Sequence, residues 1–162
     1  ARAAARGTEL AGPWRLTFES DALHRGPAEP LTLPRLKDLS TMENVKHYSG
    51  KIVYRTSFAC PGWRAGERVA LSLGDVAVTA KVRVNGRAVG GVCFAPYRLD
   101  VSEFVREGEN ELEVEVCNLW LNRLVGDEGK ADRPTWTSLK MALKGVKPAR
   151  SGLIGPVRLI CR

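Results

Sequence analysis

Apolar and polar positions alternate with a period of two from one end of the chain to the other, the spacing that turns successive side chains to opposite faces of a strand. Trp14, Leu16 and Phe18 alternate with Arg15, Thr17 and Glu19, and Ile52, Tyr54, Thr56 and Phe58 with Val53, Arg55 and Ser57. Val69, Leu71 and Leu73 follow, then Val78, Ala80, Val82 and Val84. Leu112, Val114 and Val116 are interleaved with Glu111, Glu113 and Glu115, the pattern of a strand whose outer side meets water. A last strand is expected over Val157 to Cys161. Trp14 and Tyr54 fall on inward positions and are expected in the core.

Turn residues separate these runs. Asn85-Gly86 predicts a type I′ hairpin, because both central residues tolerate positive φ. Gly90-Gly91, Gly108 with Asn110, and Gly62 with Gly66 break the chain in the same way. Helix is expected only in short pieces: around Leu36 to Lys46, at Ser102 to Val105 with Ser102 as N-cap, and near Leu119 to Leu124. Strands at this spacing predict an all-β, jelly-roll β-sandwich with short helical turns. Residues 11–162 read as one domain behind a flexible tail at 1–10. The weakly patterned stretch 119–155 is longer than most connections in a compact domain, which marks it for function.

Composition agrees with a folded domain. The 162 residues are 44% hydrophobic and 27% charged, enough to bury about 70% of the surface of the unfolded chain. The longest apolar runs, such as Val76-Ala77-Val78, are far short of the ~20 residues that cross a bilayer. No membrane partner is expected. The front of the chain, Ala1 to Arg6, has neither an initiator Met nor an apolar core, which is expected of a mature product or an excised fragment.

The formal net charge of +7 is unevenly spread. Residues 101–132 hold nine acids against Arg106, Arg123 and Lys130, whereas 140–162 hold six basic residues and no acid. A basic segment suits an acidic polymer or simply keeps a face solvated. Nucleic acid is not an expected partner, because the basic residues are not interleaved with aromatics in a reader motif. Cys60, Cys93, Cys117 and Cys161 form no C-x-x-C and have only His24 and His47 to join them, so a zinc site is not expected. They read as small buried hydrophobes, with two disulfides open to an exported chain.

Catalytic motifs are missing from the sequence. There is no G-x-S-x-G nucleophile elbow, no G-x-G-x-x-G and no phosphate-binding P-loop string. No catalytic residue is assigned and no cofactor is expected, although available Asp and Asn residues leave room for a structural calcium ion without forming an EF-hand string. The aromatics carry more. Trp120 and Trp136 stand in the irregular stretch among Asn118, Asn122, Arg123, Asp127 and Arg133. An apolar ring beside amide, guanidinium and carboxylate groups suits a sugar, whose C–H faces pack on the ring while its hydroxyls are hydrogen-bonded. The alternative is structural, with Trp120 anchoring the loop to the core and Arg123 paired with Asp127.

Several strings are also recognisable in order. Ser49-Gly50 with Tyr54-Arg55 and Phe58 resembles the S-G-x-x-x-Y-R-x-x-F entry of the sugar-binding jelly roll in family-two glycoside hydrolases. Val82 to Gly86 (VRVNG), Pro96 to Ser102 and Gly108-Glu109-Asn110 continue that pattern. The chain is still more similar to the accessory sandwich of family-106-like α-L-rhamnosidases, through Gly12-Pro13-Trp14, Leu73-Gly74-Asp75-Val76, the run Asn118 to Asp127, and Ser151 to Val157. The resemblance spans residues 11–162. It implies a galactose-binding-domain-like fold and a non-catalytic, carbohydrate-binding accessory module, exported to the periplasm or the medium. Its enzyme would act on plant polysaccharide, with rhamnose-containing pectin favoured and an acidic polymer suited to the basic segment. It also implies a partner, the catalytic domain of the parent enzyme, and sugar contacts at Asn122, Arg123 and Asp127, with Trp120 and Trp136 beside them. A purely structural sandwich that completes the site of a catalytic barrel is the alternative, and its sign would be an exposed apolar patch.

Overall fold

A computed structural model describes residues 6–60, 63–64, 66–131 and 143–161. Its strands are β1 (Arg6–Glu9), β2 (Trp14–Phe18), β3 (Leu31–Leu33), β4 (Lys51–Cys60), β5 (Val69–Ser72) and β6 (Asp75–Ala77). There follow β7 (Thr79–Val84), β8 (Arg87–Val92), β9 (Arg98–Asp100), β10 (Gly108–Cys117), β11 (Gly152–Gly155) and β12 (Arg158–Cys161). Among the described residues one α-helix, α1 (Leu121–Asp127), interrupts them.

The strands form a six-stranded sheet in the order β3-β2-β4-β10-β7-β8, a four-stranded sheet β1-β12-β5-β9, and a pair β11-β6. Every strand pairing is antiparallel. The alternation in the sequence sets which side each residue takes. On β10, Asn110, Leu112, Val114 and Val116 are buried, while Glu113 and Glu115 lie on the outer face. There Glu113 pairs with Arg55 at 2.8 Å and approaches Arg83 at 4.0 Å, and Glu115 lies 3.8 Å from Lys81. Register puts Arg55 and Arg83 directly opposite Glu113 on the two neighbouring strands, so the carboxylate lies between opposite charges. Trp14 and Tyr54, both fully buried, join Leu16, Ile52, Leu71, Leu112 and Leu153 in the core. The all-β sandwich expected from the sequence is thus the fold.

The Asn85-Gly86 hairpin has positive φ at both residues, 52° and 75°, between β7 and β8. Asn85 does more than turn the chain. Its Nδ2 donates to Phe104 O and Asn110 Oδ1, and its Oδ1 accepts from Glu111 N.

Several expectations are corrected. Arg6–Glu9, inside the stretch read as a tail, pairs residue for residue with β12, and Leu10 is buried; four residues without apolar alternation gave no strand signal. The helix expected over 36–46 reduces to one 3-10 turn at Leu39–Thr41, capped by Asp38, whose Oδ1 accepts from Ser40 N. Residues 102–104 make a turn rather than a helix. Ser102 is no N-cap there: its Oγ accepts from Val69 N and donates to Asp100 Oδ1. The third helix begins at Leu121 and runs to Asp127. All four cysteines are free thiols, Cys60 buried and Cys93 and Cys117 exposed.

Candidate functional site

One end of the sandwich gathers the residues singled out between 118 and 127. It is built from the 19–26 loop, residues 47–50 before β4, α1 after β10, and residues 149–151 before β11. Asn118 ties three of these together. Its Oδ1 accepts from Gly50 N at 2.9 Å, and its Nδ2 donates to Tyr48 O at 2.9 Å and Ser151 Oγ at 2.7 Å. Ser49 Oγ donates to Leu119 O, and Tyr48 OH donates to Lys51 O at 2.7 Å while accepting from Glu19 N at 3.0 Å. Burial pushes the Tyr48 phenol above its usual pKa, so it stays a neutral donor.

On the next layer Asp38 caps the 3-10 turn and also accepts from Ser151 N at 3.0 Å. Burial opposes its charge, but the bonds from Ser40 and Ser151 prevail with Arg150 nearby, and its carboxyl titrates below the ordinary carboxylate value. Arg150 reaches Asp75 at 2.6 Å and Asp38 at 3.4 Å, and Arg158 lies 3.7 Å from Glu9, so these two members of the basic segment stand beside carboxylates.

Helix α1 starts without a side-chain cap and packs tightly: a Cβ at Gly126 would lie 2.6 Å from His47 Cβ. Its inner face carries three polar residues. Asn122 is 1% exposed and exchanges both of its amide bonds with Ala149, donating to the carbonyl at 2.9 Å and accepting from the N–H at 2.7 Å. Arg123 and Asp127 are a buried pair, with Nε 2.9 Å from Oδ2. Arg123 Nη1 also reaches His24 O at 3.4 Å. These three side chains are turned inward.

Trp120 is different. Its residue is 36% exposed, Leu119 beside it 46%, and Leu23 of the adjoining loop 41%. The Trp120 ring meets the His24 ring edge-on, with centroids 6.4 Å apart. His24 is itself held by Asp21, whose carboxylate lies 2.9 Å from Nδ1 and accepts from the His24 N–H; these bonds hold the Asp21 carboxyl below its usual pKa.

The structure therefore brings Trp120, Asn122, Arg123 and Asp127 to one end but gives them different situations. Arg123 pairs with Asp127 as the structural alternative had it, whereas Trp120 does not anchor the loop by burial. Trp136 lies outside the described residues. Among the described residues no three His, Cys, Asp or Glu side chains are grouped to hold a metal ion, and no helix is long and apolar enough to cross a membrane. Sequence reading missed the supporting frame: nothing local to Asn118 or Asp38 shows that each bonds residue 151.

Fold and site together define a galactose-binding-like module. The glycosyl hydrolase 2 galactose-binding domain-like family matches residues 35–146, and the chain belongs to it. Among solved structures, a rhamnosidase from Novosphingobium sp. PP1Y is similar over the whole chain, with 40% identity and a TM-score of 0.89, and the chain covers 16% of that protein. A curated protein of Formosa agariphila bearing a provisional β-glucuronidase name is 35% identical over 93% of the chain, which spans 15% of its length. A β-D-glucuronidase of Dictyoglomus thermophilum is 25% identical, with a TM-score of 0.64, over 99% of this chain and 28% of its own. The chain thus corresponds to a small accessory part of much longer glycoside hydrolases.

Proposed function

We infer that this domain is a non-catalytic accessory module that packs on the catalytic domain of a glycoside hydrolase through its α1 end and presents Trp120 to the sugar bound there. The observation that carries this reading is the contrast at that end. Polar side chains expected to touch sugar are turned inward and brace the loop, while Trp120, Leu119 and Leu23 stay open on two adjoining segments. Exposed apolar side chains on a braced, preorganised frame suit a surface that another domain covers.

The parent enzyme acts on plant polysaccharide outside the cytoplasm, with rhamnose-containing pectin the favoured substrate. Likeness to the rhamnosidase along the whole chain supports rhamnose; the glucuronidase relatives make a glucuronic acid linkage the competing choice. The module needs no cofactor, and a calcium ion would serve only to brace a loop.

Trp120→Ala in the whole enzyme tests the reading. We expect kcat/KM on rhamnogalacturonan to fall at least fivefold, while the melting temperature of the 162-residue chain carrying the same change stays within a few degrees. An unchanged kcat/KM refutes the proposed role of the α1 end.

A further inference from the structure

A second site stands apart from the α1 end. An open groove of about 680 Å³ runs between Trp63 with Gly66 to Arg68 on one side and the turn at 100–105 on the other, a size that suits a few sugar rings. Among the described residues Trp63 and Phe104 line it, each half-buried with its body packed on the core. Glu67, Asp100, Glu103 and Arg68 also line it.

These groups are held, and part of their bonding capacity is open. Asp100 Oδ1 accepts from Ser102 N at 2.9 Å and from Ser102 Oγ, which leaves Oδ2 without a hydrogen-bond partner among the described residues. The Ser102 bonds, aided by Arg68, keep the Asp100 carboxyl ionised below its usual pKa. Glu67 Oε2 accepts from Arg64 N at 3.2 Å, and Arg87 fixes the far side of the turn by stacking 4.8 Å from the Phe104 centroid and donating to Glu103 O. Another groove, about 280 Å³ on the outer face of the six-stranded sheet, offers no comparable chemistry. It has no aromatic side chain, and Arg55 is bound to Glu113 there.

We propose that the Trp63–Phe104 groove is a binding site for a neutral saccharide. Half-exposed aromatic rings take the apolar C–H faces of a pyranose, carboxylate oxygens accept from its hydroxyls, and Arg68 donates to its ring or hydroxyl oxygens. Three carboxylates against one guanidinium disfavour a uronate, whose own carboxylate would meet like charge. The proposal rests on the reading of the chain as a carbohydrate-active module, but it places sugar binding where the α1 end is not involved. The domain then holds neutral stretches of a polysaccharide while its other end faces the catalytic domain, raising the local concentration of substrate.

Affinity electrophoresis of the 162-residue chain through gels containing neutral galactan, neutral xylan or polygalacturonate tests this, with calorimetry on the matching oligosaccharides. At least one neutral glycan is expected to retard the chain, and polygalacturonate to retard it less. Trp63→Ala and Asp100→Asn should each weaken binding at least tenfold. Because Trp63 also packs on the core, Glu67→Gln and Glu103→Gln serve as milder variants, expected to weaken binding at least threefold with an unchanged melting temperature. Asn44→Ala, at an exposed position that does not line the groove, should bind as the parent chain does. Absence of retardation by either neutral glycan, equal binding by all the groove variants, or tighter binding to polygalacturonate overturns the proposal. Binding lost in Trp120→Ala but kept in the groove variants overturns it as well, and returns sugar recognition to the α1 end.

Discussion

Asn118→Ala removes one side chain and three hydrogen bonds, to Gly50 N, Tyr48 O and Ser151 Oγ. Asn118 is 8% exposed, and Tyr48 and Ser151 are buried, so water cannot freely replace the lost partner. A typical bond contributes about 1 kcal/mol net, and a buried group left without a partner costs about 1–3 kcal/mol. Three bonds therefore predict a loss of about 3–5 kcal/mol, a large part of the roughly 5–15 kcal/mol that holds a domain together. For a chain of this size that lowers the melting temperature by about 6–20 °C. Urea unfolding followed by tryptophan fluorescence, with thermal melts by circular dichroism, measures it. Asn118→Asp is the sharper variant: it keeps an acceptor for Gly50 N but sets a carboxylate against the Tyr48 carbonyl, and it should be no more stable than Ala. Asn44→Ala, at an exposed position, is the control and should change stability by less than about 0.5 kcal/mol. A loss below about 1 kcal/mol for Asn118→Ala would show that this residue does not clamp the α1 end, and the inference of a rigid frame under Trp120 would fall with it.

Breaking the interior pair should be as costly: Arg123→Met is expected to destabilise by about 3–5 kcal/mol in urea unfolding, and adding Asp127→Leu to recover part of that loss. Acid stability should depend on Asp38. Its folded pKa lies below the ordinary 3.8, so its contribution is complete above that value and is lost as pH falls through the lower, folded one. Stability measured from pH 6 down to pH 2 should therefore show a shallower acid decline in Asp38→Asn than in the parent chain, and parallel curves would exclude the linkage.

Strand positions were readable wherever a run was long enough to show its period and one face was buried. Leu112 to Val116 and Ile52 to Phe58 are such runs, and burial follows their alternation. β1 was not readable, because Arg6-Gly7-Thr8-Glu9 has no apolar face and is ordered by the backbone of β12. At the site, residue types pointed to the correct end of the molecule, but direction did not follow from type. Asn122 and Trp120 are two residues apart on adjoining turns, and one is buried while the other is open. What separates them is the contact of α1 with Ala149 and His47, made by segments distant in sequence. The Trp63–Phe104 groove was invisible for the same reason, since its walls come from stretches some 40 residues apart that are brought together by the pairing of β5 with β9 and by the Val69–Ser102 and Val101–Val69 hydrogen bonds.

The pairing of β1 with β12 has a mechanical meaning. Arg6 stands opposite Cys161 in an antiparallel ladder, so the two ends of the described residues leave the fold side by side. Tension between them runs across the ladder, and the hydrogen bonds, which lie perpendicular to the strands, open one after another like a zipper instead of being sheared together. Such a domain gives way first at this seam, at low force, while the six-stranded sheet that contributes the Trp14 and Tyr54 core is loaded only after β1 has peeled off.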